Sequence, residues 1–217
     1  MFRFFLLFLC FFLTPCGKLH AHDLLLRETL NRYAAMETMQ TSFTLEITNE
    51  LFSSAPLERY RGLLYYQKPA SIRFELTEPR DKKELTINSE TVAWSVDYAE
   101  EAAFKLPSGF IWGSFLRVLT GQLHLLEEFS LVKRESDGAL EKFEMARTSQ
   151  GTDDEVMECI YWINPADKLI KKVQTISFER VKRVVIFDDP ALDRELDQKL
   201  FYFSPPRGTE VFDRTRE

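Results

Sequence analysis

Two runs typical of β-strands adjoin in the segment Gly62-Leu-Leu-Tyr-Tyr-Gln-Lys-Pro-Ala-Ser-Ile-Arg-Phe-Glu-Leu-Thr-Glu-Pro79. In the second run, apolar residues alternate with polar ones at Ile72, Phe74 and Leu76. Such alternation indicates a strand with one dry and one wet face. The first run is Leu63–Gln67, and Lys68-Pro69 is a turn signal between the two. The segment therefore predicts two antiparallel strands separated by a turn.

The same period of two recurs on both sides of this segment. Apolar positions alternate at Phe43, Leu45 and Ile47, at Leu85 and Ile87, and at Val92, Trp94 and Val96. Further strand candidates are Ala102–Leu106, Leu140–Ala146, Val156–Ile163, Ile170–Phe187 and Leu200–Phe203. A long antiparallel sheet curls because its strands twist. We therefore expect an open barrel whose concave face is apolar and includes Phe43, Phe74 and Trp94.

One helical pattern precedes the strands and two interrupt them. Asp23–Met39 has apolar residues at helical spacing, with Asp23 as a candidate N-cap. Phe110–Leu119 is almost entirely apolar, and Asp189-Pro190 suits the first turn of another helix. The predicted fold class is mainly β (α+β), an unclosed antiparallel β half-barrel covered by short lid helices.

The first residues have the layout of a secretory signal peptide. Arg3 precedes the apolar run Phe4–Leu13, and the small residue Ala21 follows at a plausible cleavage position. The run is shorter than the ~20 residues that span a bilayer. We expect residues 1–21 to be removed and residues 22–217 to form one exported domain.

The charge of the chain argues against a nucleic-acid partner. Removing residues 1–21 takes away Arg3 and Lys18, so the formal net charge changes from −6 to −8. Nucleic-acid binding depends on Lys and Arg side chains that neutralise phosphates. An acidic chain of this kind is not expected to bind DNA or RNA.

The cysteines bear on membrane anchoring. Leu13-Thr14-Pro15-Cys16-Gly17 partly resembles a lipobox, but Pro15 stands where a small residue is expected before the lipidated cysteine. We therefore expect ordinary cleavage near Ala21. Cys159 would be the one cysteine left after cleavage, so no internal disulfide is expected.

Residues for catalysis, metal binding or cofactor binding are not found in any recognisable pattern. His124 is followed by Glu127 and Glu128, which we assign to a helix end and not to a metal site. Asp153-Asp154-Glu155 lacks the alternate spacing of a calcium loop. Nucleophile-elbow and phosphate-loop motifs do not occur. The sequence predicts neither an enzyme nor a cofactor or metal site.

The opening segment resembles the hallmark of the outer-membrane lipoprotein carrier proteins, the LolA family. That hallmark has a glycine, an apolar strand, a basic residue before proline, an aromatic-rich strand and a second proline. Thr91–Trp94 resembles the family's strand with a central Trp. The tail Phe201-Tyr-Phe-Ser-Pro-Pro-Arg-Gly-Thr-Glu-Val211 resembles its terminal motif.

The resemblance implies a monomeric periplasmic chaperone that carries lipoproteins by their acyl chains. Its partners would be an inner-membrane lipoprotein-releasing ABC transporter and an outer-membrane lipoprotein receptor. The acyl-binding cavity would be lined by apolar residues of the sheet and lid. The predicted cavity residues are Phe43, Leu45, Ile72, Phe74, Leu76, Trp94, Trp112, Phe115 and Leu116.

One position departs from the family pattern. The family typically has Arg before the first motif proline, where this chain has Lys68. In the family that Arg is thought to hold the lid shut, and Lys offers three donors on a flexible stem instead of a planar fork of five. The resemblance thus implies that Lys68 is a looser lid latch.

Two other readings share the same fold. A LolB-type outer-membrane receptor would be anchored through a lipidated Cys16. An envelope lipid-sensing module would need an additional interaction domain.

Overall fold

The computed structural model describes residues 18–52, 57–108, 128–148 and 156–215, and for residues 18–23 the backbone alone. Within these ranges the strands form a single sheet that is not closed into a barrel. Its strands are β1 (Thr38–Asn49), β2 (Glu58–Gln67), β3 (Ser71–Glu78), β4 (Glu84–Asn88), β5 (Val92–Asp97), β6 (Ala102–Pro107), β7 (Phe129–Asp137), β8 (Leu140–Arg147), β9 (Val156–Asn164), β10 (Leu169–Ser177), β11 (Val181–Leu192) and β12 (Glu210–Asp213).

Neighbouring strands follow the order β12-β6-β5-β4-β3-β2-β1-β11-β10-β9-β8-β7. All the described pairs are antiparallel except β12 with β6, which is parallel. The pairing of β1 with β11 joins the two halves of the chain in the middle of the sheet. The predicted unclosed, mainly antiparallel half-barrel is confirmed.

The helix α1 spans Lys18–Ala35, so both predicted ends, Asp23 and Met39, are wrong. Asp23 lies inside the helix, and Met39 is a strand residue. After Ala35 the chain turns because Asp193 Oδ1 accepts the Glu37 N–H at 2.8 Å, and β1 then pairs with β11 and β2. Pairing with two strands overrides the helical spacing of the sequence.

Ile170–Phe187 is a hairpin of β10 and β11, not one strand. The turn forms without Gly or Pro because Arg180 adopts φ +59° and the Ser177 hydroxyl accepts the Val181 N–H at 3.1 Å. Asp189-Pro190 lies in β11 and starts no helix. The ladder with β1 is irregular there, and such irregularities tolerate a proline within a sheet.

The segment from Asp193 to Thr209, here called the C-terminal strap, crosses the sheet from β1 to β6. The Asp193 N–H donates to Thr38 O at 2.8 Å, and the Glu210 N–H donates to Glu101 O at 2.8 Å. Within the strap, Gln198–Phe201 is a 3-10 helix capped by the Asp197 side chain. The predicted strand Leu200–Phe203 is therefore wrong.

Two strands, β7 and β12, were not expected from the sequence. The predicted helix Phe110–Leu119, and with it the expected inserted lid, lies outside the described residues. Within the described ranges the helices are α1 and two 3-10 helices, Arg80–Lys82 and Gln198–Phe201. None of the described helices is long and apolar enough to cross a membrane.

Candidate functional site

Strand register divides the sheet into two faces. Residues paired across neighbouring strands point to the same side. Phe74 pairs with Leu64 on one side and Thr86 on the other, and this side is here called the inner face. Arg73 pairs with Ile87, which pairs with Trp94, and this opposite side is the outer face.

The inner face carries a large, continuous apolar core. Five of the predicted cavity residues lie in it, all at most 4% exposed. They are Phe43, Leu45, Ile72, Phe74 and Leu76. The structure therefore brings these side chains together on one face, as their alternation in the sequence indicated.

A glycine allows the centre of this core to pack. The rings of Phe43 and Phe74 stack with centroids 4.6 Å apart at an angle of 21°. Gly62 lies below, where a Cβ atom would stand 2.4 Å from Phe43 Cζ and 2.3 Å from the carbonyl oxygen of Glu75. The glycine of the opening segment is thus required by close approach of an aromatic ring and a neighbouring strand.

Helix α1 packs on the inner face. Leu26, Leu30 and Tyr33 belong to the same core as Phe43. The Ile170 N–H donates to the Tyr33 hydroxyl oxygen at 3.0 Å, which fixes the helix to β10. Lys168 Nζ lies 2.9 Å from Glu28 Oε2 at the same end of the sheet. Burial raises the pKa of Tyr33 well above its usual value, so this hydroxyl stays neutral.

The inner face becomes more polar towards β4 and β5. Thr86 and Asn88 are buried there, and Asn88 Nδ2 donates to Ala70 O at 2.8 Å. Sequence reasoning missed both residues, since polar side chains that alternate with Leu85 and Ile87 look like the wet side of a strand. Only the pairing register with β3 shows that Thr86 and Asn88 face the same side as Phe74 and Ile72, and the sequence of one strand does not contain this register.

Trp94 does not share a face with Phe43 and Phe74, so that expectation is wrong. It lies on the outer face against Phe203 of the strap, with ring centroids 5.4 Å apart at 61°. Leu85, Ile87, Val96 and Ala103 complete this second, smaller core. Arg73 Nη1 also donates to Leu200 O at 3.2 Å, so the strap covers the outer face of β3 to β6.

Lys68 lies at the carboxyl end of α1. Its Nζ donates to Ala34 O at 3.5 Å and to Glu37 Oε1 at 3.4 Å, and its backbone N–H donates to Glu37 O at 2.9 Å. A cation beside the last helical carbonyls is electrostatically favourable. Both distances from Nζ are longer than a typical N–H···O hydrogen bond.

Some residues considered in the sequence lie outside the described ranges. They are Cys16, Trp112, Phe115, Leu116 and His124. Cys159 is described and fully buried, and burial raises the pKa of its thiol to about 12. Within the described residues, no group of three or more His, Cys, Asp or Glu side chains is placed to hold a metal ion.

Comparison with known proteins places this arrangement in a family. The family model described as outer membrane lipoprotein carrier protein LolA matches residues 34–204. The chain belongs to the LolA family. An outer-membrane lipoprotein carrier protein of Methylococcus capsulatus is 24% identical over 176 residues, which is 81% of each chain.

A solved structure shows the same fold at low identity. An uncharacterized conserved protein of Thermus thermophilus aligns with a TM-score of 0.55 at 12% identity, covering 87% of this chain and 97% of the other. A LolA superfamily protein from Nitrosomonas europaea aligns with a TM-score of 0.46 at 12% identity, covering 84% and 97%. LolA-family proteins are periplasmic lipoprotein carriers and chaperones, and the family is not an enzyme family.

Proposed function

We propose that this LolA-family chain carries lipoproteins across the periplasm with their acyl chains held against the inner face of the half-barrel. It would receive them from an inner-membrane ABC transporter and deliver them to an outer-membrane receptor. The observation that supports this most is the continuous apolar inner face in a chain that the LolA model matches over residues 34–204.

The energetics of acyl chains explain the need for such a carrier. Moving an acyl chain into water costs about 0.8 kcal/mol per CH₂, or roughly 12 kcal/mol for ~15 methylenes. A lipoprotein with several chains would not leave a membrane unaided at a useful rate. An apolar face inside a water-soluble shell removes most of this cost.

Release requires that the acyl chains bind with moderate net affinity. We propose that helical segments cover the inner face when it is empty, so that cargo must displace them. The free energy lost on displacement is subtracted from the binding energy, as for any binding site that must first open. Lys68 would bias this equilibrium through its contacts with Ala34 and Glu37 at the end of α1.

The proposed acyl contacts are the inner-face residues together with three residues of the apolar segment. They are Phe43, Leu45, Ile72, Phe74, Leu76, Trp112, Phe115 and Leu116. Trp94 is left out because it packs under the strap on the outer face.

Photo-crosslinking from the two faces tests this proposal. A photoreactive phenylalanine analogue replaces Phe43 on the inner face in one variant and Trp94 on the outer face in another. The position-94 variant is the matched control, because both native residues are large aromatics. After expression in the native envelope, we expect lipoprotein crosslinks from position 43 and none from position 94. Equal crosslinking from both positions, or none from a folded position-43 variant, would contradict the proposal.

The mature N-terminus distinguishes the carrier from an anchored receptor. Mass spectrometry of the exported protein should find a free terminus near His22. An acylated Cys16 would favour the receptor instead.

A further inference from the structure

Two hairpin turns at one end of the sheet carry large apolar side chains in solvent. Phe178 in the β10–β11 turn is 79% exposed. Leu51, Phe52 and Leu57 flank the β1–β2 connection and are 65%, 63% and 55% exposed. These four side chains are here called the apolar tip.

The two turns are held together, since they join adjacent strands. Asn49 pairs with Val181 in the β1–β11 ladder. The Glu50 N–H then donates to Arg180 O at 3.0 Å, and Arg180 Nη2 lies 2.5 Å from Glu50 Oε2. The apolar tip is therefore one surface on a braced support, not a set of unrelated loop residues.

Such a surface is unusual for turns, which favour Gly, Pro, Asn, Asp and Ser. Scattered exposed apolar residues need no explanation, but a cluster of large ones indicates an interaction site. Four exposed Leu and Phe side chains on adjacent turns also promote aggregation unless something covers them part of the time.

The local charge differs from that of the whole chain. Residues 49–52, 57–59 and 177–183 contain four basic and three acidic side chains, whereas the chain carries a formal net charge of −6. Arg59 and Arg180 have side chains 65% and 45% exposed beside the apolar tip, and each forms a surface ion pair, with Glu46 and Glu50 respectively. Apolar side chains bordered by arginines are suited to a phospholipid surface, where Phe and Leu enter the acyl boundary and cations meet the headgroup phosphates.

The apolar tip also adjoins a hollow in the surface of the sheet's end. Tyr60, an inner-core residue three positions after Leu57, lines a hollow of about 390 Å³ with Arg59, Arg61, Glu78 and Pro79. A protein that rested on its apolar tip would bring this end of the inner face to the lipid surface. This part of the argument rests on the proposed function, whereas the contact itself does not.

We propose that the apolar tip inserts reversibly into the surface of a phospholipid bilayer. The four side chains are exposed at one end of the sheet, and a soft lipid layer accepts exposed apolar side chains without a complementary groove. A protein partner would need such a groove. Contact with lipid would be brief, because few side chains are buried.

Vesicle flotation tests the contact directly. The exported protein, without cargo, is mixed with protein-free vesicles of phosphatidylethanolamine and a minority of phosphatidylglycerol. We expect a measurable floating fraction that persists in high salt, because apolar burial and not charge provides most of the binding. Replacing Phe52 and Phe178 together by Ser should lower the partition coefficient about tenfold or more.

Matched controls distinguish binding through the apolar tip from binding through any exposed apolar side chain. Val132 on β7 and Tyr202 on the strap are 65% and 75% exposed, and their replacement by Ser should leave flotation unchanged. Circular dichroism should show all variants folded. Wild-type protein that does not float on protein-free vesicles, or a double variant that floats equally well, would overturn the proposal. Since no lipoprotein is present, this result is independent of crosslinking from position 43.

Discussion

Gly62→Ala is the substitution for which the structure gives the sharpest expectation. The added Cβ atom would lie 2.3 Å from Glu75 O and 2.4 Å from Phe43 Cζ, closer than Cβ atoms approach in real proteins. The carbonyl belongs to the backbone of β3, so it moves only with the strand. The Phe43 ring is held by its stack on Phe74. Neither neighbour yields easily.

The cost follows from these two contacts. Overpacking a core costs about 1–3 kcal/mol, and a disturbed aromatic pair adds about 0.5–1.5 kcal/mol. We expect Gly62→Ala to lower the free energy of unfolding by about 3 kcal/mol, a Tm decrease of about 6–12 °C for a chain of this length. Without the contacts, Ala in place of Gly would raise stability by about 0.4–1 kcal/mol.

Urea unfolding followed by circular dichroism measures the free energy of unfolding of the wild type and of Gly62→Ala. The same measurement is made on Phe43→Leu and on the double variant. Phe43→Leu should destabilise Gly62→Ala less than it destabilises the wild type, with a coupling of at least about 0.5 kcal/mol. Full rescue is not expected, because the Glu75 carbonyl stays in place. A Gly62→Ala protein as stable as the wild type, or more stable, would refute the packing argument.

Three further outcomes are expected. Lys68→Leu removes both Nζ contacts and should alter lipoprotein uptake or release in a transfer assay. Lys68→Arg should preserve uptake and release. Unchanged transfer by Lys68→Leu would remove Lys68 from the mechanism. Phe203→Ala should lower the free energy of unfolding by about 1–3 kcal/mol, less than the loss for truncation of a fully buried Phe. Crosslinking from position 43 should stay intact, because Phe203 packs on the outer face. Cys159 should resist iodoacetamide at pH 8 until urea is added. Burial raises the pKa of its thiol to about 12, and the reactive thiolate is present only near or above that pH. Rapid labelling of the folded protein would contradict the burial of Cys159.

Alternation of apolar and polar residues predicted most strands because most strands have one face against a core. It failed where the signal for a boundary was not a residue type. The β10–β11 turn contains Phe178, Glu179 and Arg180. Its conformation depends on φ +59° at Arg180 and on the hydrogen bond that the Val181 N–H donates to the Ser177 hydroxyl. Pro190, a helix-start signal, is instead accommodated beside an irregularity of the β1–β11 ladder.

The candidate site shows the same limit. Alternation tells which residues of one strand share a face, and it correctly grouped Ile72, Phe74 and Leu76. It does not tell which face of one strand continues a given face of the next. That requires register, and register places Trp94 outside while Thr86 and Asn88 lie inside. The strap that makes the outer face dry is too distant in sequence to be foreseen.

The presence of two separate cores bears on how a carrier could change its contents. Phe43 and its neighbours lie on the inner face, whereas Trp94 and Phe203 seal the outer face of β4 to β6. The outer core lies on the opposite side of the sheet from the inner face. If acyl chains replace helical segments there, apolar surface is exchanged for apolar surface, and the burial term of about 25 cal/mol per Å² largely cancels. The balance is then set by a few polar contacts, such as those of Lys68, each worth about 0.5–1.5 kcal/mol. Small polar terms at the rim of the inner face, and not its apolar area, would therefore decide when the cargo is held and when it is released.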